Sequence, residues 1–272
     1  MNETAFRFGR ADHLVGLLGA PASASSRGEV GVIVLNAGLV HHVGPFRLHV
    51  DLTRRLNASG YPTLRMDLST LGDSGASGAL QSREQQVRTD ISDAMALLRA
   101  QAGCTRFVLI GLCSGAENAH LAACTEPSIA GAVFLDGYAY RTLGFRLRHY
   151  APRLLQPARI ARFLARRMRK AASPSIGAAE PSFSVEFPPL PQVRDELADM
   201  LQRGLRLCFI YSGGVSYFNH LRQFRECFGR HIATHGGASV HFLREVDHTY
   251  TLVEDRQRLV DMIDAWLRAQ WP

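Results

Sequence analysis

Lysine is almost missing from this 272-residue chain: Lys170 is the only one, so the rest of the 31 basic residues are arginines and they carry the formal charge of +7. Cysteine is scarce as well. The five thiols, Cys104, Cys113, Cys124, Cys208 and Cys227, are odd in number and nowhere spaced C-x-x-C, which argues against a disulfide framework or a zinc cage and points to a reducing cytoplasm. Long apolar runs are absent: the longest, such as Gly31 to Leu35 and Phe107 to Cys113, fall far short of the roughly 20 residues of a membrane span. Leu14 to Ala24 has the outline of a short signal core, but Glu3 and Asp12 spoil a basic lead-in and Gly16 and Gly19 break the run, so secretion is not expected. No dinucleotide loop, metal-ligand cluster or nucleic-acid motif is present, so no cofactor, no metal and no nucleic-acid partner is expected. A composition of 46% hydrophobic and 20% charged residues excludes disorder, and the length suits one large domain carrying an insertion.

What is present alternates. Thr4 to Phe8 and His13 to Leu18 read as an edge hairpin by their period-two pattern. Val30 to Leu35 is a β-branched run suited to a strand covered on both faces, and Phe46 to Leu56 then has helical spacing. Strand and helix alternate onward: Tyr61 to Met66, Arg83 to Gln101, Arg106 to Ile110, Gly115 to Cys124, Ala130 to Leu135. The rhythm stops at Asp136. Arg141 to about Lys170 reads as helix, with Arg159, Arg162, Arg166, Arg167, Arg169 and Lys170 in one dense basic run, and Ala171 to Pro191 is a Pro-, Ala- and Ser-rich tether. Alternation resumes with Asp195 to Gln202, Leu205 to Tyr211, Phe218 to Phe228, Ser239 to Leu243 and Val253 to Gln270. The expected architecture is α/β, a doubly wound and mostly parallel sheet with a helical cap insertion. Residues 1–136 and 192–272 would form the core and 137–191 the cap and tether.

In such sheets the chemistry sits beyond the carboxyl ends of the strands. Gly111-Leu112-Cys113-Ser114-Gly115 follows a buried strand and opens a helix, the context in which a G-x-nucleophile-x-G turn presents its central residue. That residue is Cys113, and a helix N-terminus favours its thiolate. Ser114 competes but sits one position late. The base would be His248, in Glu245-Val246-Asp247-His248-Thr249 directly after the last strand.

Strand, G-x-nucleophile-x-G, cap and a late Asp-His-Thr together resemble the α/β-hydrolase superfamily, with an elbow Cys as in its dienelactone hydrolase branch. Asn36-Ala37-Gly38, Asp67-Leu68-Ser69, Gly72-Asp73-Ser74 and Gly111 to Ala116 are similar to small hydrolases associated with bacterial exosortase systems. The resemblance implies an oxyanion hole from the backbone N–H of Ser114 and that of Leu39 or Gly38. It also implies a triad acid after the penultimate strand, but Ser212 to Asn219 contains no carboxylate. The acid has therefore moved, or the site is a dyad. Asp136 is the relocated candidate; Asn219 could orient the imidazole instead, and Asp247 is too near His248 in sequence to reach its ring. Glu117, Asp67 and Asp73 read as structural.

Asn36, Tyr138 and Tyr140 are the candidate substrate-binding residues. The basic cap could shield the pocket, grip an anionic or carrier-bound acyl substrate, or attach to an anionic surface. The chemistry expected is cleavage of an ester, thioester or lactone through an acyl-Cys intermediate by an esterase or thioesterase. Interception by an alcohol or amine would make it an acyltransferase or cyclising thioesterase of a biosynthetic pathway, and loss of the acid would leave a non-catalytic ligand-binding homologue.

Overall fold

A computed structural model describes residues 2–21, 29–154 and 187–272. Eight strands form one sheet: β1 (Asn2–Phe8), β2 (Leu14–Ala20), β3 (Val30–Val34), β4 (Thr63–Asp67), β5 (Arg106–Leu112), β6 (Ile129–Leu135), β7 (Arg206–Ser212) and β8 (Ala238–Leu243). Their order is β1-β2-β4-β3-β5-β6-β7-β8. β2 is antiparallel to both β1 and β4, and every pairing from β4 to β8 is parallel. The Leu14 stretch that has the outline of a signal core is thus an internal sheet strand. Among the described residues no helix is long and apolar enough to cross a membrane.

The unbroken apolar strands split their side chains between two cores, as the period-two geometry of a strand requires. Ile33, Leu35, Phe107 and Leu109 face one layer, where α2 (Arg83–Ala102), α3 (Ser114–Ala123), α5 (Leu190–Gln202) and α6 (Leu221–Ala233) pack. Val32, Val34, Val108 and Ile110 face the other, covered by α1 (Leu48–Ala58) and α7 (Val253–Gln270) through residues such as Leu52, Leu56, Leu259 and Ile263. Local signals set the ends. Ser82 and Gln85 form a reciprocal capping box at the start of α2, and Gly103 closes it in the left-handed conformation.

After β6 the chain runs into α4 (Leu143–Leu154). The basic run from Arg159 to Lys170 and most of the tether lie outside the described residues. Two readings are corrected by the structure. Pro191, placed in the tether by its composition, lies in the first turn of α5, where a missing N–H costs nothing. Phe218, placed in a helix, instead precedes α6 and stacks on Tyr211 with ring centroids 3.9 Å apart.

Candidate active site

Cys113 follows β5 and caps α3 with φ 56° and ψ −121°, a strained conformation for a residue with a side chain. Its neighbours explain how the turn closes. A Cβ on Gly111 would lie 2.1 Å from the carbonyl of Gly115, and one on Gly115 would lie 2.4 Å from the Asn36 carbonyl oxygen. The two glycines are therefore demanded by backbone packing, against the helix on one side and the end of β3 on the other. The Cys113 N–H donates to Leu135 O at 2.9 Å, and its carbonyl accepts from Ala116 N at 2.9 Å and Glu117 N at 3.2 Å. The side chain is left half-buried at the head of α3.

Asp136 follows β6, also with positive φ (51°), and its residue is 2% exposed. Three donors converge on its carboxylate. Oδ1 accepts from Ser212 N at 2.6 Å, and Oδ2 accepts from Ser212 Oγ at 2.7 Å and from His248 Nδ1 at 2.7 Å. Tyr217 donates its hydroxyl to the Asp136 carbonyl at 2.7 Å, fixing the backbone behind the carboxylate. On its other side His248 is hydrogen-bonded to the Cys113 sulfur. The Asp136 hydrogen bond, then that to Cys113, raise the imidazole to about 10, against the opposing effect of burial. Cys113, His248 and Asp136, far apart in the chain, are brought into one hydrogen-bonded line.

The loop after β7 holds glycines because a neighbour needs the space. A Cβ on Gly213 would fall 1.8 Å from Arg244 O, and one on Gly214 would fall 2.3 Å from the backbone N of His248. Gly213 N donates to Leu243 O at 2.9 Å and Gly214 N to Val246 O at 3.1 Å, so this turn carries the histidine loop. Ser212 and Tyr217 were not singled out from the sequence; the available signal was the pair of polar residues bracketing that glycine turn.

At the end of β3, Ala37 to Val40 form a tight turn closed by Val40 N donating to Ala37 O at 3.0 Å, with Gly38 at φ 58°. Gly38 N donates to Ser114 Oγ at 2.9 Å, which ties this turn to the first residue of α3. Leu39 exposes 87% of its surface. Ser114, Gly38 and Leu39 thus meet beside Cys113, and the Ser114 hydroxyl occupies the Gly38 donor.

Asn36 is corrected as a substrate contact. It is 1% exposed, its Oδ1 accepts from Leu68 N at 2.7 Å, and its Nδ2 donates to Asp67 Oδ1 at 2.7 Å and to Val40 O at 3.0 Å. Tyr140 donates its hydroxyl to Pro188 O at 2.6 Å, so only its ring is offered, and Tyr138 packs edge-on against His120 and Phe187. Asn219 bonds Arg148 and Phe145 O, on the α4 side, which removes it as the residue orienting His248. Asp247 accepts from Thr249 and Thr251, and despite some desolvation these bonds hold it at about 2. Glu117 is half-buried, and burial pushes its carboxyl above the ordinary range.

Among the described residues two groups could hold a metal ion: His120, Cys124 and Glu196, and His42, Asp67 and Asp73. In the second, Asp67 already accepts from His42 N, His42 Nδ1, Asn36 Nδ2 and Asp73 N. Burial raises its carboxyl, but these hydrogen bonds outweigh that and hold it below the usual range. In the first, His120 Nε2 and Glu196 Oε2 already meet at 2.7 Å.

No family model matches the sequence, and no curated protein matches it. Solved structures do match along the whole chain. The Pyrococcus furiosus esterase Pf2001 superposes with a TM-score of 0.63 at 15% identity, covering 99% of this chain and 93% of that one. A lidless α/β serine hydrolase from Xanthomonas campestris gives 0.59 at 12% identity, covering 100% and 95%. Est1E from Butyrivibrio proteoclasticus gives 0.59 at 13% identity, covering 99% of each chain. The mostly parallel sheet, its helices on both faces and these superpositions give this chain the α/β-hydrolase fold.

Proposed function

We propose that this protein is a hydrolase that cleaves an ester, thioester or lactone through an acyl-Cys113 intermediate. The observation that carries this reading is the line Asp136, His248, Cys113, held at a strained turn on a helix N-terminus. Asp136 accepts from Nδ1 of His248 and turns Nε2 toward Cys113, so the thiol proton passes to Nε2 before attack and the sulfur, paired with the imidazolium, attacks the acyl carbonyl. The carbonyl oxygen becomes negative and is received by the Ser114 N–H and by the N–H groups of the Gly38–Leu39 turn. Each such donor is worth about 3 kcal/mol in the transition state. The Gly38 donor becomes available when the Ser114 hydroxyl rotates away. Protonated His248 gives its proton to the leaving alkoxide or thiolate, and water, activated by the same imidazole, releases the acid and regenerates the thiol.

Intact-mass analysis after brief acylation or alkylation tests the reading in wild type and in Cys113→Ala, Ser114→Ala and His248→Ala. Stoichiometric labelling that disappears in Cys113→Ala and slows in His248→Ala is expected. Labelling that follows Ser114, or that is equally slow in every variant, overturns it.

A further inference from the structure

A cavity of about 470 Å³ is lined by Arg141, Phe145, Arg146, His149, Tyr150 and Ser216. Its size is within the roughly 300–1,000 Å³ of small-molecule pockets. Among the described residues the lining is basic and aromatic and includes no carboxylate. Arg141 is fixed in place: its Nη2 donates to Ser216 Oγ at 3.2 Å and its guanidinium lies 5.8 Å from the Phe145 ring centre. Phe145 in turn stacks on His149 with planes 9° apart.

The arginines of this helix are not equivalent. Arg148 is neutralised, donating to both carboxylate oxygens of Glu226 at 2.8 and 3.1 Å. Arg141 and Arg146 have no ion-pair partner among the described residues, although Glu226 is near enough to accept from Thr142. Two guanidinium groups without an ion-pair partner among the described residues, one of them beside an aromatic ring, suit an oxyanion.

The location joins this cavity to the catalytic line. Ser216 is the residue before Tyr217, whose hydroxyl holds the Asp136 carbonyl, and Arg141 comes five positions after Asp136.

We propose that the Arg141–Arg146 cavity binds a carboxylate or phosphate borne by the acyl substrate some bonds away from the scissile carbonyl. This rests on the acyl-transfer reading, which it narrows to anionic substrates. Matched pairs test it: p-nitrophenyl butyrate against p-nitrophenyl hemisuccinate for a carboxylate, and S-acetyl-N-acetylcysteamine against acetyl-coenzyme A for phosphates. In Arg146→Gln and Arg141→Gln the KM of the anionic member of one pair should rise about tenfold or more, as loss of a charged hydrogen bond predicts, while the neutral member is little changed. Which pair responds identifies the anion. Equal effects on charged and neutral members, or none on either, overturn the proposal while leaving Cys113-dependent turnover intact. If the wild type turns over no substrate, the acyl-transfer reading fails by itself. Calorimetric titration with succinate and with coenzyme A then decides the cavity: binding lost in Arg146→Gln keeps it as an anion site, and absence of binding to both removes it.

Discussion

Replacing Asp136 by Asn keeps the shape of the side chain and reverses its chemistry. The carboxylate now accepts from three donors: Ser212 N, Ser212 Oγ and His248 Nδ1. An amide can accept at its oxygen from Ser212 N, but its NH2 group then faces both Ser212 Oγ and His248 Nδ1. The imidazole must present Nδ1 as an acceptor, which places its proton on Nε2, toward Cys113. In that tautomer it cannot take the thiol proton. A hydrogen bond to a charged group contributes about 1.5–3 kcal/mol, and about 1.4 kcal/mol is a factor of ten. Acylation of Cys113 at pH 7 should therefore slow by roughly 10- to 100-fold in Asp136→Asn. His248, raised to about 10 chiefly by Asp136, should titrate at a markedly lower pH in the variant. The assay is the second-order rate of iodoacetamide labelling between pH 5 and pH 11, with turnover of a chromogenic ester alongside. A variant whose rate and pH profile match wild type, while Cys113→Ala abolishes labelling, would refute any role for Asp136 beyond holding Ser212.

Other expectations follow from contacts already described. Gly115→Ala brings a methyl 2.4 Å from Asn36 O; overpacking of about 1–3 kcal/mol should lower Tm by roughly 2–12 °C in a domain this size, and an unchanged melt would contradict the packing. His248 is protonated up to about 10 when folded and only to 6.5 otherwise. Its stabilisation is therefore full below about 6.5 and lost as pH rises through about 10, so the urea-midpoint gap between wild type and His248→Gln should narrow from pH 6 to pH 10.5; a widening gap counts against it. Ser114→Ala removes the hydroxyl that occupies the Gly38 N–H and should leave Cys113 labelling in place; loss of labelling would make Ser114 the nucleophile. Glu3 is held at about 2 by hydrogen bonds from Arg65 and then Arg54, against burial. Its contribution is present above pH 4.5 and disappears as pH falls toward 2, so Glu3→Gln should cost stability at pH 7 and little at pH 2 by denaturant titration.

The sheet was legible because β-branched runs such as Val30 to Leu35 have one plausible fate in a chain of this length, burial on both faces. Helix starts were less so. Pro191 carries the composition of a loop and the geometry of a first turn, and only the packing of α5 against the sheet decides between them. At the site, Gly111 to Gly115 could be read locally because the tight turn leaves its requirement in adjacent residues. Asp136 could be named as the relocated acid from its place at the end of a strand, but its partners could not, since the register of β6 and β7 sets Ser212 opposite its carboxylate. Asn36 misled for a related reason: a polar residue at a strand end is equally suited to touch a ligand or to tie two loops together, and here Asp67 and Leu68 claim all of its polar atoms.

The glycine turn after β7 also limits where a carboxylate could stand beside His248. With Gly213 and Gly214 pressed against the backbone of the histidine loop, an aspartate at either position would displace His248 before it could bond its ring. The proposed acid after β6 and the bare turn after β7 are thus two halves of one packing arrangement, and moving the carboxylate from one strand end to the other would require a differently shaped histidine loop.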